Sequence, residues 1–288
     1  MTITVRPVTP AVGAEVSGVD LRRLDDARFA TILQAWSQHG MVLLRGQSLG
    51  DDDLLAFSRR FGELDPPPNQ ERGRNSPPGY PEIYVVSNVL DDKGDPIGAL
   101  GNGEAVWHTD MSYLDLPPDA SMLYALEIPP TGGNTWFMGM QAACDALPAE
   151  LRRRIEGRRI KHDGTYNSGG FLRKGVTPTD DPMAAPGAWH PAILRHPLNG
   201  RATLYLGRRR NSYVEGCSRP ESDELLEALW SHVTQPRFVY EHVWRLGDLV
   251  LWDNRSTMHR RDPFDGAARR VMHRTQIKGS QKPVAFAA

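Results

Sequence analysis

Between residues 83 and 277 the chain is cut into short apolar runs separated by turn residues, and this pattern commits most of its length to short strands. The runs at 83–89, 121–128, 135–138, 193–196, 203–206, 237–244, 248–252 and 269–277 each have strand length. One helix interrupts them. Ser218-Arg-Pro-Glu221 reads as a capping box with proline in the first turn, and Leu225, Leu226, Leu229, Trp230 and Val233 follow at helical spacing, so this helix is expected to pack outside a sheet. The first sixty residues differ. Phe29, Ile32, Leu33 and Trp36 mark an amphipathic helix over 25–38 ended by Gly40, residues 41–45 form a short buried strand, and 51–61 returns to helical spacing with Gly62 as its expected cap. The predicted class is therefore mainly β with flanking helices. Two stretches, 65–81 and 163–189, show no period and are expected to be long active-site loops.

The 23 prolines and 27 glycines are scattered rather than gathered into a linker, so one domain over 1–288 is expected. A chain of 288 residues buries enough surface to be stable without disulfides or a structural metal. Its 34 Lys and Arg against 35 Asp and Glu give a net charge of −1, which excludes a general nucleic-acid binder. Cys144 and Cys217 lie far apart, so neither a disulfide framework nor a thiolate zinc site is indicated, and a reducing, cytoplasmic compartment is expected. The first residues lack the layout of a signal peptide, and no apolar run approaches the roughly 20 residues of a membrane helix. The expected partner is a small molecule, with no nucleic acid and no membrane; a homo-oligomer is left open.

Candidate chemistry centres on histidine. In Trp107-His108-Thr109-Asp110 an imidazole and a carboxylate two residues apart would point to one side of an extended strand, where they could share a metal. Alone the signal is weak, because composition by itself yields about 0.7 such pairs in a chain like this. A second constellation, Leu249-Val-Leu-Trp-Asp-Asn-Arg-Ser-Thr-Met-His259, is an apolar strand running into a polar turn with one histidine just beyond. Two histidines and one aspartate suit a facial triad for non-haem Fe(II), which leaves positions open for substrate and O2. Arg270, 11 residues past His259, could hold the far carboxylate of a dicarboxylic co-substrate in a bidentate fork. The same ligand types also serve a zinc hydrolase with an activated water, the main rival from another class.

Other residues read as structural. His273 is expected beside the site without being a ligand, and His162, His190, His196 and His242 have no carboxylate at metal spacing. Arg208-Arg-Arg-Asn211 reads as a solvated turn, while Trp107 and Tyr113 flank the proposed triad as candidate pocket walls.

The order and spacing of several phrases resemble the Fe(II)/2-oxoglutarate-dependent dioxygenases of the taurine dioxygenase and 2,4-dichlorophenoxyacetate dioxygenase group. The phrases are VTPAVGAEVSGVDL, VLLRGQ, AFSRRFGEL, WHTDMSY, PPTGGNTWF, WDNRSTMH and RRVMHRTQIKG. The resemblance implies a double-stranded β-helix, or jelly-roll, core. It implies that His108, Asp110 and His259 ligate Fe(II), that Arg270 and Thr135 hold the far carboxylate of 2-oxoglutarate, and that Arg274 meets an acidic group of the substrate. The implied reaction uses O2, releases succinate and CO2, and hydroxylates a small anionic substrate such as a sulfonate or an aryloxyalkanoate. Collapse of the hydroxylated product would make the enzyme a cleavage catalyst; a hydroxylase of an amino acid or natural-product intermediate without cleavage is the alternative. Asp65-Pro-Pro-Pro-Asn69 stands where taurine dioxygenases carry a histidine-rich segment, which argues against taurine itself.

Overall fold

The structure, a computed structural model, describes residues 2–67, 74–103 and 105–287. In chain order the first half holds β1 (Thr4–Pro7), β2 (Ala14–Ser17), α1 (Asp26–His39), β3 (Met41–Leu44), α2 (Asp51–Arg59), β4 (Tyr84–Ser87), β5 (Ala99–Leu100), β6 (Ala105–His108), β7 (Ala120–Glu127) and β8 (Thr135–Gly139). It continues with α3 (Met140–Asp145), α4 (Ala149–Ile155), β9 (Arg159–Asp163), β10 (Gly187–Pro191), β11 (Ile193–Arg195), β12 (Ala202–Leu204) and β13 (Tyr213–Val214). The last elements are α5 (Arg219–Val233), β14 (Val239–His242), β15 (Leu249–Asp253), β16 (Thr257–Arg261) and β17 (Val271–Ile277).

Two sheets make the jelly-roll. The larger has eight strands in the order β1-β2-β3-β15-β7-β17-β4-β5; the smaller has four, β14-β8-β16-β6. Side-chain alternation decides what each face meets. Met41, Leu43, Val250 and Trp252 of the large sheet pack with Phe137 of the small one, forming the layer between the sheets. Their neighbours Val42, Leu44, Leu249 and Leu251 face outward onto Ile32 and Trp36 of α1 and Leu54 and Phe57 of α2. The outer face of the small sheet, through Met138 and Met258, is covered by α3, α4 and α5.

The local signals hold where the period is strong. Asp25 caps α1 by accepting from the Arg28 N–H, and Gly40 ends it with φ 70° while donating to Trp36 O. That glycine is required twice over, because a Cβ there would also sit 2.9 Å from Thr257 Cγ2. The Ser218–Glu221 capping box forms, and Leu225, Leu226, Leu229, Trp230 and Val233 are all buried. Gly62 is not a cap: α2 stops at Arg59, with Arg60 in the capping position. The stretch expected to be irregular over 163–189 spans only 164–186, because β9 runs to Asp163 and β10 starts at Gly187. Of the other expected loop, 65–81, residues 68–73 lie outside the described residues. Among the described residues no helix is long and apolar enough to cross a membrane.

Candidate active site

β6 and β16 are antiparallel neighbours, and their register sets His108 opposite His259 with ring centroids 4.2 Å apart. His259 points into the layer between the sheets, where its ring lies against Trp252 and Phe137 at centroid distances of 4.8 and 6.2 Å. Asp110 is not on the strand as its spacing suggested: β6 ends at His108, and the carboxylate sits on the turn that follows. Thr109 fixes that turn. Its hydroxyl reaches the carbonyls of Asn254 (3.0 Å) and Thr257 (2.7 Å), so one side chain ties the segment bearing Asp110 to the segment leading to His259.

The result is a compact set of ligands. Nε2 of His108 and of His259 lie 3.6 and 3.8 Å from Asp110 Oδ1. One ligand atom from each of the three residues falls within 4.8 Å of the others. His108 Nδ1 is 2.7 Å from Val106 O, a group that can only accept, so Nδ1 carries the proton and Nε2 keeps its lone pair for a metal. Burial and the adjacent His108 push His259 well below its ordinary pKa, which keeps this imidazole neutral.

Asp110 is held by one oxygen only. Oδ2 accepts from Ser121 Oγ at 2.8 Å and pairs with Arg274 Nη2 at 2.8 Å, leaving Oδ1 toward the imidazoles. Burial would raise this carboxyl, but the Arg274 guanidinium paired with it outweighs that and holds the group well below the usual carboxylate range. The set is thus two imidazole nitrogens and one carboxylate oxygen on one face, donors suited to a divalent first-row metal. Ser121 was not singled out from sequence; within an apolar strand run it carried no signal.

The structure also buries a cation that no carboxylate pairs among the described residues. Arg270 precedes β17 and is 2% exposed. Its backbone N–H donates to Asn88 Oδ1, while its side-chain Nε is buried with no hydrogen-bond partner, and among the described residues no carboxylate pairs with the guanidinium. Burial, with the charge of Arg261 nearby, pushes it down to about 9. A buried guanidinium without a counter-ion is costly, so the site asks for an anion. Thr135 Oγ1 accepts from Trp244 Nε1 at 3.0 Å, which leaves the hydroxyl proton free to donate to such an anion.

The remaining predictions divide. His273 pairs with Asp51 Oδ1 at 2.6 Å and takes no part in the triad. His162, His190, His196 and His242 are buried away from it, as structural residues. Trp107 does not wall the pocket: it alternates with His108 on β6 and packs against the core beneath α5. Tyr113 lies under the Arg173 guanidinium at 4.1 Å. Arg208 is not solvated, since it is largely buried and donates to Asp163 O at 2.9 Å; the half-buried Arg209 pairs with Asp223 and Glu227, and the exposed Arg210 with Asp180.

A jelly-roll with two imidazoles and one carboxylate on a single face, together with a buried cation lacking its anion, defines the class of mononuclear 2-oxo-acid-dependent oxygenases. The chain belongs to the taurine catabolism dioxygenase TauD, TfdA family, whose model matches residues 4–276. It is 36% identical over 282 residues to the alpha-ketoglutarate-dependent 2,4-dichlorophenoxyacetate dioxygenase of Cupriavidus pinatubonensis, covering 95% of this chain and 97% of that one. Among solved structures it is similar to a taurine dioxygenase from Burkholderia xenovorans, with TM-score 0.79, 31% identity, and coverage of 100% and 96% of the two chains. It is also similar to AAD-2 in complex with Mn(II) and N-oxalylglycine, with TM-score 0.79, 32% identity and coverage of 99% and 100%. The protein is a dioxygenase that depends on 2-oxoglutarate and acts on a small molecule.

Proposed function

We propose that His108, Asp110 and His259 hold Fe(II), that Arg270 and Thr135 bind the far carboxylate of 2-oxoglutarate, and that O2 is the oxidant. The observation that carries this reading is the pairing of three convergent ligand atoms with a buried, unpaired Arg270. A zinc hydrolase would need the triad but has no use for that cation. The chemistry that bound iron supplies with O2 is oxidative decarboxylation of 2-oxoglutarate to succinate and CO2, coupled to hydroxylation of a substrate C–H bond. The protein's own part is positional. Arg270 and the free Thr135 proton fix one end of the co-substrate, so its orientation at the metal is set before substrate arrives.

The substrate we assign is a small organic anion, a sulfonate, sulfate ester or aryloxyalkanoate, cleaved when hydroxylation falls on the carbon that bears the oxygen or sulfur. Its anionic group meets Arg274, whose Nη2 is held by Asp110 but whose buried Nε has no hydrogen-bond partner among the described residues. Named relatives support this range: a 2,4-dichlorophenoxyacetate dioxygenase and a sulfate ester dioxygenase from Pseudomonas putida. Residues 1–288 act as one domain in the cytoplasm, with the irregular stretch 164–186 as a loop that covers the site.

The test is an anaerobic titration of apo-protein with Fe(II) and 2-oxoglutarate, followed by a screen of these anions for succinate. A weak visible charge-transfer band in the wild type, lost in His108→Ala, is the expected result. Absence of the band with stoichiometric iron overturns the reading.

A further inference from the structure

Two guanidinium groups, not one, are buried at the co-substrate end of the site. Thr257, His259 and Arg261 alternate along β16, so Arg261 leaves the strand on the face of His259, and its register partner on β8 is Thr135. Arg261 is 8% exposed. Its guanidinium carbon lies 5.7 Å from the centroid of the Phe264 ring, and that of Arg270 lies 6.0 Å from the same centroid. Nη2 of Arg261 donates to Leu100 O at 3.0 Å and to Gly103 O. Nε is buried without a hydrogen-bond partner, and among the described residues no carboxylate pairs with the group.

A structural clamp explains Nη2 but not the rest. Holding two carbonyls needs no second formal charge beside Arg270, where like charges repel and desolvation is unfavourable. A carboxylate bound between the two guanidiniums offsets part of both costs. The clamp adds geometry: Leu100 is held at φ 72°, a left-handed conformation that a leucine adopts only under constraint, and its carbonyl is one of those Arg261 grips.

We propose that Arg261 is a second cation for the far carboxylate of the 2-oxo acid, acting beside Arg270 and Thr135, and that it fixes the 100–103 turn against this end of the pocket. This rests on the dioxygenase reading. It predicts that discrimination between 2-oxo dicarboxylates and 2-oxo monocarboxylates comes from two arginines.

The experiment is equilibrium binding by calorimetry to the Mn(II)-loaded protein, with 2-oxoglutarate and 2-oxopentanoate as the two probes. Charge-assisted hydrogen bonds of this kind predict that Arg261→Gln loses about tenfold or more in 2-oxoglutarate affinity. The same variant should change 2-oxopentanoate affinity less than about twofold. Arg261→Lys, which keeps the charge and the fold but not the fork, should fall between wild type and Arg261→Gln. It carries the test alone if the glutamine variant does not fold. Equal losses for the two probes, or no loss for either, would reduce Arg261 to a clamp and overturn the proposal. A wild-type protein that binds Mn(II) but not 2-oxoglutarate would instead overturn the dioxygenase reading beneath it.

Discussion

Arg274 and Asp110 form a direct ion pair, Nη2 to Oδ2 at 2.8 Å, and Ser121 Oγ bridges them by lying 2.8 Å from the same oxygen and 3.1 Å from the same nitrogen. The carboxylate is thereby turned so that a single oxygen faces the imidazoles. Groups that orient a metal ligand are typically worth 10–100-fold in affinity. Ser121→Ala should therefore weaken Fe(II) or Mn(II) binding by about tenfold while leaving the fold intact, as read by metal titration alongside circular dichroism. Unchanged metal affinity would show that Arg274 alone holds the carboxylate.

Arg270→Lys should raise the 2-oxoglutarate requirement by roughly 10–100-fold with little effect on metal affinity, because a lysine keeps one charge but cannot form the fork. Steady-state KM for 2-oxoglutarate and an independent Mn(II) titration separate the two effects. A parallel loss of metal binding would place Arg270 among the supports of the triad.

Thr135→Val removes a donor and strands another. Trp244 Nε1, now 3.0 Å from Thr135 Oγ1, would be left buried without its acceptor at a cost of about 1–3 kcal/mol. Thermal denaturation should show that loss together with a higher KM for 2-oxoglutarate, and Thr135→Ser should restore both. Rescue of stability without rescue of KM would exclude the hydroxyl from the co-substrate site.

Asp253 anchors the turn before β16 through His196 Nε2 at 3.0 Å and the Arg255 guanidinium at 2.7 Å. Burial would raise its carboxyl, but Arg255 and His196 outweigh that and hold it far below its ordinary 3.8. A depressed carboxylate stabilises the fold above its unfolded value, and the gain is lost as pH falls through the folded one. Asp253→Asn should thus destabilise by about 3–5 kcal/mol near pH 7. The gap from wild type should narrow only below about pH 4, which denaturant melts across pH would show. A gap independent of pH in that range would mean that the carboxylate is not ionised in the folded state.

Elements with a strong internal period were legible. α1 and α5 follow from apolar residues at helical spacing, and β3 and β15 from short unbroken apolar runs that are buried on both faces. β16 was missed because Thr257-Met-His-Arg-Arg261 looks polar along the chain, yet every second side chain enters a buried pocket. β6 was read only as the extended segment bearing His108 and was carried too far, to Asp110, while the short helices α3 and α4 lack enough turns to show a period.

The sequence by itself determined the mainly β class, the flanking helices and, through ordered phrases, the residue types of a metal and 2-oxo acid site. Only the tertiary structure decided that His108 and His259 sit in register, that Asp110 offers one oxygen because Ser121 and Arg274 take the other, and that Arg261 stands beside Thr135. The reason is physical. Spacing along a chain reports which side of its own element a residue faces, whereas ligand geometry and the pairing of buried charges depend on strand register and on groups more than a hundred residues away.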